Sequence, residues 1–258
     1  PVEFFSAYEY FDYDLDGDLD IFCRVAFYPN QGDPDAANTN NDIRILINNN
    51  NSWELGDIDI VDFQPKRAYR KIVTVDIDND GDLDMIAFTE EIVPYQEGNN
   101  YFFHSGAAAD INNDGWVDII AGDGYVILNK GDGTFQDSYK LPEPFVAMGW
   151  GSQETIDVNN DGYTDLIVGK GHDGGTWYFP MGGTDELFGK TQWIYFGKQD
   201  YPYFDMETPY ILPTNYDFYG TDDLYRLGLS STMDVSVVDF DNDGLLDLFF
   251  LSHSDMAP

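Results

Sequence analysis

The chain has 258 residues, of which 48 are acidic and 12 basic, for a formal net charge of −36. A surface this acidic repels phosphate backbones and anionic lipid headgroups, which argues against nucleic-acid binding, and no apolar run approaches the ~18 residues of a membrane-crossing helix. Hydrophobic residues still make up 43% and aromatics 16%, enough to build a core, unlike an acidic disordered chain.

The sequence opens in apparent strand material, without an initiator Met or a signal peptide, and so reads as a processed product or a segment of something longer. The first acidic string is "DYDLDGDLD", Asp12–Asp20. After it come "IF" and "VAF", β-prone apolar runs that hold the lone cysteine, Cys23. One cysteine excludes an intrachain disulfide, and its apolar setting predicts a buried small hydrophobe. "IRILINNNNSW" (43–53) reads as strand, turn, strand, with an N-x-S acceptor at Asn50-Asn51-Ser52 on the turn.

The string returns as "DIDNDGDLD" at Asp76–Asp84, preceded by "KIVTV" and followed by "MIAF". It appears again as "DINNDGWVD" at Asp110–Asp118, followed by "IIAG" and then "YVILNKGDGTF" (125–135). The fourth copy is "DVNNDGYTD", Asp157–Asp165, before "LIVG". The fifth is "DFDNDGLLD", Asp239–Asp247, between "DVSVV" and "LFFL". Starts lie 64, 34, 47 and 82 residues apart, so the unit is constant while the intervening material is elastic. Each unit reads as strand, acidic loop, strand, turn, strand, which is the pattern of a short antiparallel blade. The 34-residue interval is too short for a full four-stranded blade and predicts a reduced one. Helix signals are confined to "TDELF" (184–188) and "TDDLYRLGL" (221–229).

Carboxylates at positions 1, 3 and 5 of a tightly curved loop converge their oxygens on one point. Gly at position 6 allows the bend, position 7 can offer its carbonyl, and Asp at position 9 closes the shell. Hard oxygen donors at this density suit Ca²⁺, whereas Mg²⁺ demands a stricter octahedron. The twelfth position, where an EF-hand needs a bidentate Glu, holds Cys23, Ala87, Ala121, Val168 and Phe250. A short loop between two strands fits better. Asp-Gly and Asn-Gly also make plain turns, but five copies acidic at positions 1, 5 and 9 exceed what turn-making requires.

The five loops, with "YVILNKGDGTF" after the third, resemble FG-GAP/VCBS-type repeats, the calcium-binding blades of integrin-α-like β-propellers. The resemblance covers roughly residues 5–251. It implies an all-β fold, a single β-propeller over 1–258 built of short antiparallel blades. About five repeats are present, fewer than a closed ring of about seven, so the propeller is incomplete or open within this sequence. The resemblance implies about five Ca²⁺ ions, held by side chains at positions 1, 3, 5 and 9 and the carbonyl at position 7. The ligands so implied are Asp12, Asp14, Asp16, Asp20 and the carbonyl of Asp18, then Asp76, Asp78, Asp80, Asp84 and the carbonyl of Asp82. In the third loop they are Asp110, Asn112, Asp114, Asp118 and the Trp116 carbonyl; in the fourth, Asp157, Asn159, Asp161, Asp165 and the Tyr163 carbonyl. The fifth set is Asp239, Asp241, Asp243, Asp247 and the Leu245 carbonyl. Ten cationic charges from five such ions would bring the formal net from −36 to −26, so calcium accounts for the loops but not for all of the acidity.

The three histidines, His104, His172 and His253, are scattered, and no nucleophile elbow or metallohydrolase spacing is present. The expectation is therefore a non-enzymatic extracellular or cell-surface module for adhesion, assembly or scaffolding, binding a protein partner or itself. A lectin-like glycan binder is the alternative, and a polysaccharide-degrading enzyme the disfavoured third reading. An aromatic-rich insertion at about 185–230 carries the ligand candidates; residues 193–225 hold eleven aromatics in 33 positions, twice the chain average. The insertion reads either as an oversized one whose aromatics bury into their own core or as a binding surface; for the latter Trp193, Tyr201, Tyr203, Tyr216 and Tyr219 are the residues chosen, because flat amphipathic rings suit sugar faces and protein partners alike.

Overall fold

A computed structural model describes residues 2–28, 41–50, 52–56, 68–90, 105–122, 124–142, 152–169, 192–212 and 231–253. Among them every regular element is a β-strand, and every pairing is antiparallel between neighbours in sequence. The two segments read as helical, 184–188 and 221–229, lie outside the described residues.

The chain divides into two compact units, one comprising Pro1–Asp76 and Asp82–Tyr101, the other Ile77–Gly81 and Phe102–Pro258. In the first, β1 (Val2–Phe11), β2 (Asp20–Tyr28), β3 (Asn41–Asn49) and β4 (Ser52–Gly56) form a four-stranded sheet in that order. Alternating β-branched and aromatic residues drive these strands, as in "IRILI", which sends Ile45 inward. The hairpin expected at 43–53 is present, with Asn49 opposite Ser52 and Asn50 in the turn at φ 54°. β5 (Ala68–Val75) and β6 (Asp84–Glu90) form a second pair. Phe22, Ile45 and Ile72 make the buried centre of this unit, lined by Phe11, Ile47, Met85 and Ala87. Cys23 is buried, as its apolar run predicts, and burial pushes its thiol above the usual range.

The second unit holds two further four-stranded sheets. One is β7 (Gly106–Ala109), β8 (Asp118–Ala121), β9 (Tyr125–Ile127) and β10 (Tyr139–Lys140); the other is β11 (Ser152–Ile156), β12 (Asp165–Gly169), β13 (Gln192–Tyr195) and β14 (Tyr210–Ile211). A pair, β15 (Ser231–Val238) and β16 (Asp247–His253), completes it. One apolar cluster joins both sheets through Ile120, Val126, Leu166, Trp193, Tyr195 and Phe204. A second links β12 and β13 to β15 through Ile167, Ile194 and Val235. Every residue of β12 is buried, so "DLIVG" is a central strand and reads as a continuous apolar run without alternation.

The β5–β6 pair, from the repeat followed by the short interval, has two strands among the described residues; residues 91–104 beyond it are outside them. The fold is thus a series of small antiparallel sheets, one per acidic loop, with each loop joining the first two strands of its sheet.

Burial separates the leucines sharply. Leu166 is 0% exposed and Leu19 59%. Leu166→Ala should cost about 2–4 kcal/mol in urea denaturation, and Leu19→Ala no more than about 0.5 kcal/mol. Equal losses at the two positions would contradict this placement of the core.

Candidate functional site

All five acidic loops adopt one backbone path. Position 4 is left-handed in each: Leu15 at φ 60°, Asn79 at 60°, Asn113 at 59°, Asn160 at 58° and Asn242 at 59°. Position 6 comes next at φ 93° for Gly17, 96° for Gly81, 90° for Gly115, 89° for Gly162 and 89° for Gly244, a region open only to glycine without strain. Two positive-φ residues so close together turn the chain tightly enough to aim alternate side chains inward.

The carboxylate at position 1 accepts from the backbone N–H groups of positions 5 and 6. Asp12 does so from Asp16 and Gly17 at 3.0 and 2.9 Å, Asp110 from Asp114 and Gly115 at 3.0 and 2.8 Å, and Asp157 from Asp161 and Gly162 at 3.1 and 2.8 Å. Asp239 repeats this with Asp243 and Gly244 at 3.0 and 2.9 Å. Position 3 accepts from the N–H of position 5, in the second loop as in the others: Asp78 from Asp80 at 3.2 Å, Asn112 from Asp114 and Asn159 from Asp161, both at 2.9 Å. Position 5 accepts from the N–H of position 7, as Asp114 does from Trp116 at 3.0 Å and Asp161 from Tyr163 at 2.9 Å. Backbone dipoles therefore offset part of the repulsion among the carboxylates.

Position 9 behaves differently. Asp20, Asp118 and Asp165 are fully buried, each as the first residue of its sheet's second strand. One carboxylate oxygen accepts from the N–H of position 2: Tyr13 at 2.7 Å, Ile111 at 3.0 Å and Val158 at 2.9 Å. The other accepts from an N–H at the end of the third strand: Asn48 at 2.7 Å, Asn129 at 2.8 Å and Gly197 at 2.7 Å. In the fifth loop Asp247 takes the N–H of Phe240 at 3.0 Å. These aspartates pin loop and sheet together besides facing the loop interior. Burial dominates the titration of Asp118 and Asp165. It pushes Asp118 up to about 6 against the two N–H bonds, with Asp114 and Asp110 adding repulsion, and raises Asp165 for the same reasons.

Single oxygens of Asp12, Asp14 and Asp20 lie within 4.8 Å of one another, as do those of Asp76, Asp78 and Asp84, and of Asp239, Asp241 and Asp247. Ligands on opposite sides of one Ca²⁺ stand about 4.6–5.2 Å apart, so positions 1, 3 and 9 fit a single ion of that size. A carboxylate oxygen carries two lone pairs, and one N–H bond leaves the second for a metal. The third and fourth loops present Asn112 and Asn159 at position 3, whose amide groups donate to Asp114 and Asp161 at 2.9 Å. The position-5 residues Asp16, Asp80, Asp114, Asp161 and Asp243 sit exposed on the loop rim. Asp18, at position 7 of the first loop, also accepts the N–H of Asn50 at 2.8 Å, which ties that loop to the β3–β4 turn.

The aromatic candidates separate. Trp193 is 4% exposed and packs in the core, which leaves it no face for a ligand. Tyr201 is 61% exposed, and its ring lies 5.1 Å from that of Tyr139 and 6.3 Å from that of Tyr203. Tyr203 sits at φ 68° and packs against the core edge. Tyr216 and Tyr219 lie outside the described residues, as do His104, His172 and the side chain of His253.

Sequence reasoning passed over position 4. Asn79 donates its side-chain amide to the carbonyl of Gly115 at 3.1 Å, and Asn113 donates to that of Gly162 at 2.8 Å, each reaching position 6 of the following loop. Thr164 and Asn129 add bonds to the carbonyls of Asp110 and Ile77, both at 2.9 Å. The signal was present: Asn fills position 4 in four of the five strings.

Two outcomes are expected. Leu15 is 82% exposed in a left-handed conformation that Asn tolerates better, so Leu15→Asn should raise stability by a few tenths to about 1 kcal/mol in urea denaturation; a loss would contradict the assigned backbone. In EGTA, folded Asp118 keeps a proton that the unfolded chain releases near 3.8. Its contribution is full below about pH 4 and is lost as pH rises through about 6. Asp118→Asn should flatten that part of the stability profile, and an unchanged slope would refute the assignment.

Comparison with curated protein sequences finds no significant match. The family described as FG-GAP-like repeat matches residues 12–87 and 110–168, more than half of the chain, and the matched stretches begin at the first and third acidic loops. With the repeated loop geometry and one small antiparallel sheet per loop, that match establishes that the chain belongs to the FG-GAP-like repeat family.

Proposed function

We propose that this chain is a calcium-stabilised β-propeller module that acts outside the cell as an adhesion, assembly or structural scaffold, without catalysis. The observation that carries the reading is the convergence of carboxylate oxygens from positions 1, 3 and 9 within 4.8 Å in the first, second and fifth loops. Loop residues Asp12, Asp14, Asp16 and Asp20, and their counterparts in each repeat, would hold the ion with the position-7 carbonyl. Bound Ca²⁺ supplies charge neutralisation and rigidity there. Millimolar free calcium is an extracellular condition, and oxygen-rich sites of ~10⁻⁴–10⁻³ M affinity are filled under it. FG-GAP-like repeats occur typically in extracellular proteins and mediate protein contacts, in keeping with this placement. No helix among the described residues is long and apolar enough to cross a membrane.

A partner-binding role is supported by β4, the last strand of its sheet, where Trp53 is 49% and Leu55 63% exposed. Edge strands with outward apolar residues invite a further strand or a partner surface. The glycan reading keeps one observation in its favour, the exposed Tyr201 ring beside Tyr139 and Tyr203.

Chelation tests the main reading. A site filled at ten times its Kd contributes about 1.4 kcal/mol, so removing several ions should lower Tm by about 10 °C or more. Elemental analysis should find calcium in the untreated protein. An unchanged melting curve together with no bound calcium would overturn the proposal. On a glycan array, binding that Tyr201→Ala abolishes would favour the lectin reading over the scaffold.

A further inference from the structure

Three sheets close the clamp at position 9 in one way. Each third strand sets a β-branched residue opposite the second residue after the loop: Ile45 opposite Phe22, Val126 opposite Ile120 and Ile194 opposite Ile167. Three residues on, the N–H of Asn48, Asn129 or Gly197 reaches the buried aspartate at 2.7, 2.8 or 2.7 Å. The segments that do so read "ILIN" (45–48), "VILN" (126–129) and "IYFG" (194–197), a β-branched residue, two apolar residues, then Asn or Gly.

The fifth repeat has the aspartate without the strand. Among the described residues β15 and β16 form a sheet of two, and nothing pairs with the other edge of β16. One oxygen of Asp247 takes the N–H of Phe240, and no third-strand N–H meets the other among those residues. Asp247 is half-buried where Asp20, Asp118 and Asp165 are 0% exposed. Phe249, the counterpart of Phe22, Ile120 and Ile167, is 47% exposed against their 2%, 0% and 0%. The last strands of the four-stranded sheets are five, two and two residues long, whereas β16 runs for seven, "DLFFLSH". It holds no Lys or Pro of the kind that blunts a free edge.

We infer that the free edge of β16 binds an extended segment of a partner protein, added antiparallel as a third strand and carrying the pattern Val/Ile, apolar, apolar, Asn/Gly. The β-branched residue lies opposite Phe249, and the N–H three residues on bonds Asp247. Main-chain bonds give such strand addition its affinity, and the alternate side chains its specificity. The three described segments of this pattern are each held between two strands of their own sheet, so a second copy would have to open a sheet to lend one. The occupant is therefore another polypeptide. The inference rests on the partner-binding part of the reading above and not on calcium.

An acetylated, fluorescein-labelled peptide of residues 124–131, "GYVILNKG", is the probe, read by anisotropy against the whole chain in calcium. Saturable binding is expected, with slowed amide exchange along β16. N-methylation at Asn129 removes the N–H and should weaken binding by about tenfold to a hundredfold, the worth of a bond to a carboxylate. The same methyl at Leu128, whose carbonyl accepts from Gln136 on the strand's other side, should cost less. Phe249→Lys, at an exposed site, should abolish binding with the melting curve kept, and Phe249→Thr should weaken it. Binding that the Asn129 methyl or Phe249→Lys leaves unchanged would overturn the inference. Binding lost instead in Trp53→Ser would move the site to β4, overturning the inference but not the partner-binding reading. No binding to a protein that EGTA still destabilises would overturn the inference and leave the calcium reading intact. Self-association lost in Phe249→Lys, with no peptide bound, would overturn the choice of partner in favour of a second copy.

Discussion

The buried aspartate at position 9 is the interaction on which each of the three four-stranded sheets depends. Asp20, Asp118 and Asp165 stand where an acidic loop becomes a strand, and each accepts one N–H from the loop and one from the end of the third strand. Burying a carboxylate is costly unless it is well bonded. Here the bonds join three segments that have no other reason to meet at that point. The acidic loop is consequently part of the sheet's framework and not an appendage to it. Burial outweighs two good hydrogen bonds at Asp118 and raises its titration to about 6. A cation on the loop side favours the ionised form that those bonds need.

That clamp explains how one loop can recur with starts 34 to 82 residues apart. Each four-stranded repeat closes on itself through bonds at positions 1, 3, 5 and 9, so the chain beyond the third strand is free to vary in length. In the second unit the loops are also laced to one another by Asn79, Asn113, Asn129 and Thr164. Such bonds are local, neighbour to neighbour, as expected when stability is distributed over repeats.

Much of this was legible in the sequence. "KIVTV" and "DVSVV" foretold β5 and β15, and "IRILINNNNSW" foretold the β3–β4 hairpin, because β-branched residues punctuated by Asn and Gly leave few alternatives. "YVILNKGDGTF" became β9 with a turn closed by the Asn129–Phe135 bridge. Three features were not legible. Trp193, chosen for its exposed-ring chemistry, is core, since composition cannot say which face of β13 turns inward. The double duty of position 9 depends on the third strand returning beside it. Asn at position 4 was passed over, whereas the amides of Asn79 and Asn113 reach the next loop.

Sequence by itself determined the repeated loop, its acidic positions and the obligatory glycine, because these arise from local backbone sterics and from side-chain chemistry within nine residues. It determined the all-β character for the same local reason. Only the tertiary structure decided which carboxylates are buried, which aromatics belong to the core, and which loop each asparagine serves. Those outcomes arise from contacts between segments distant in the chain, where burial and a partner's position, not residue type, set the energy.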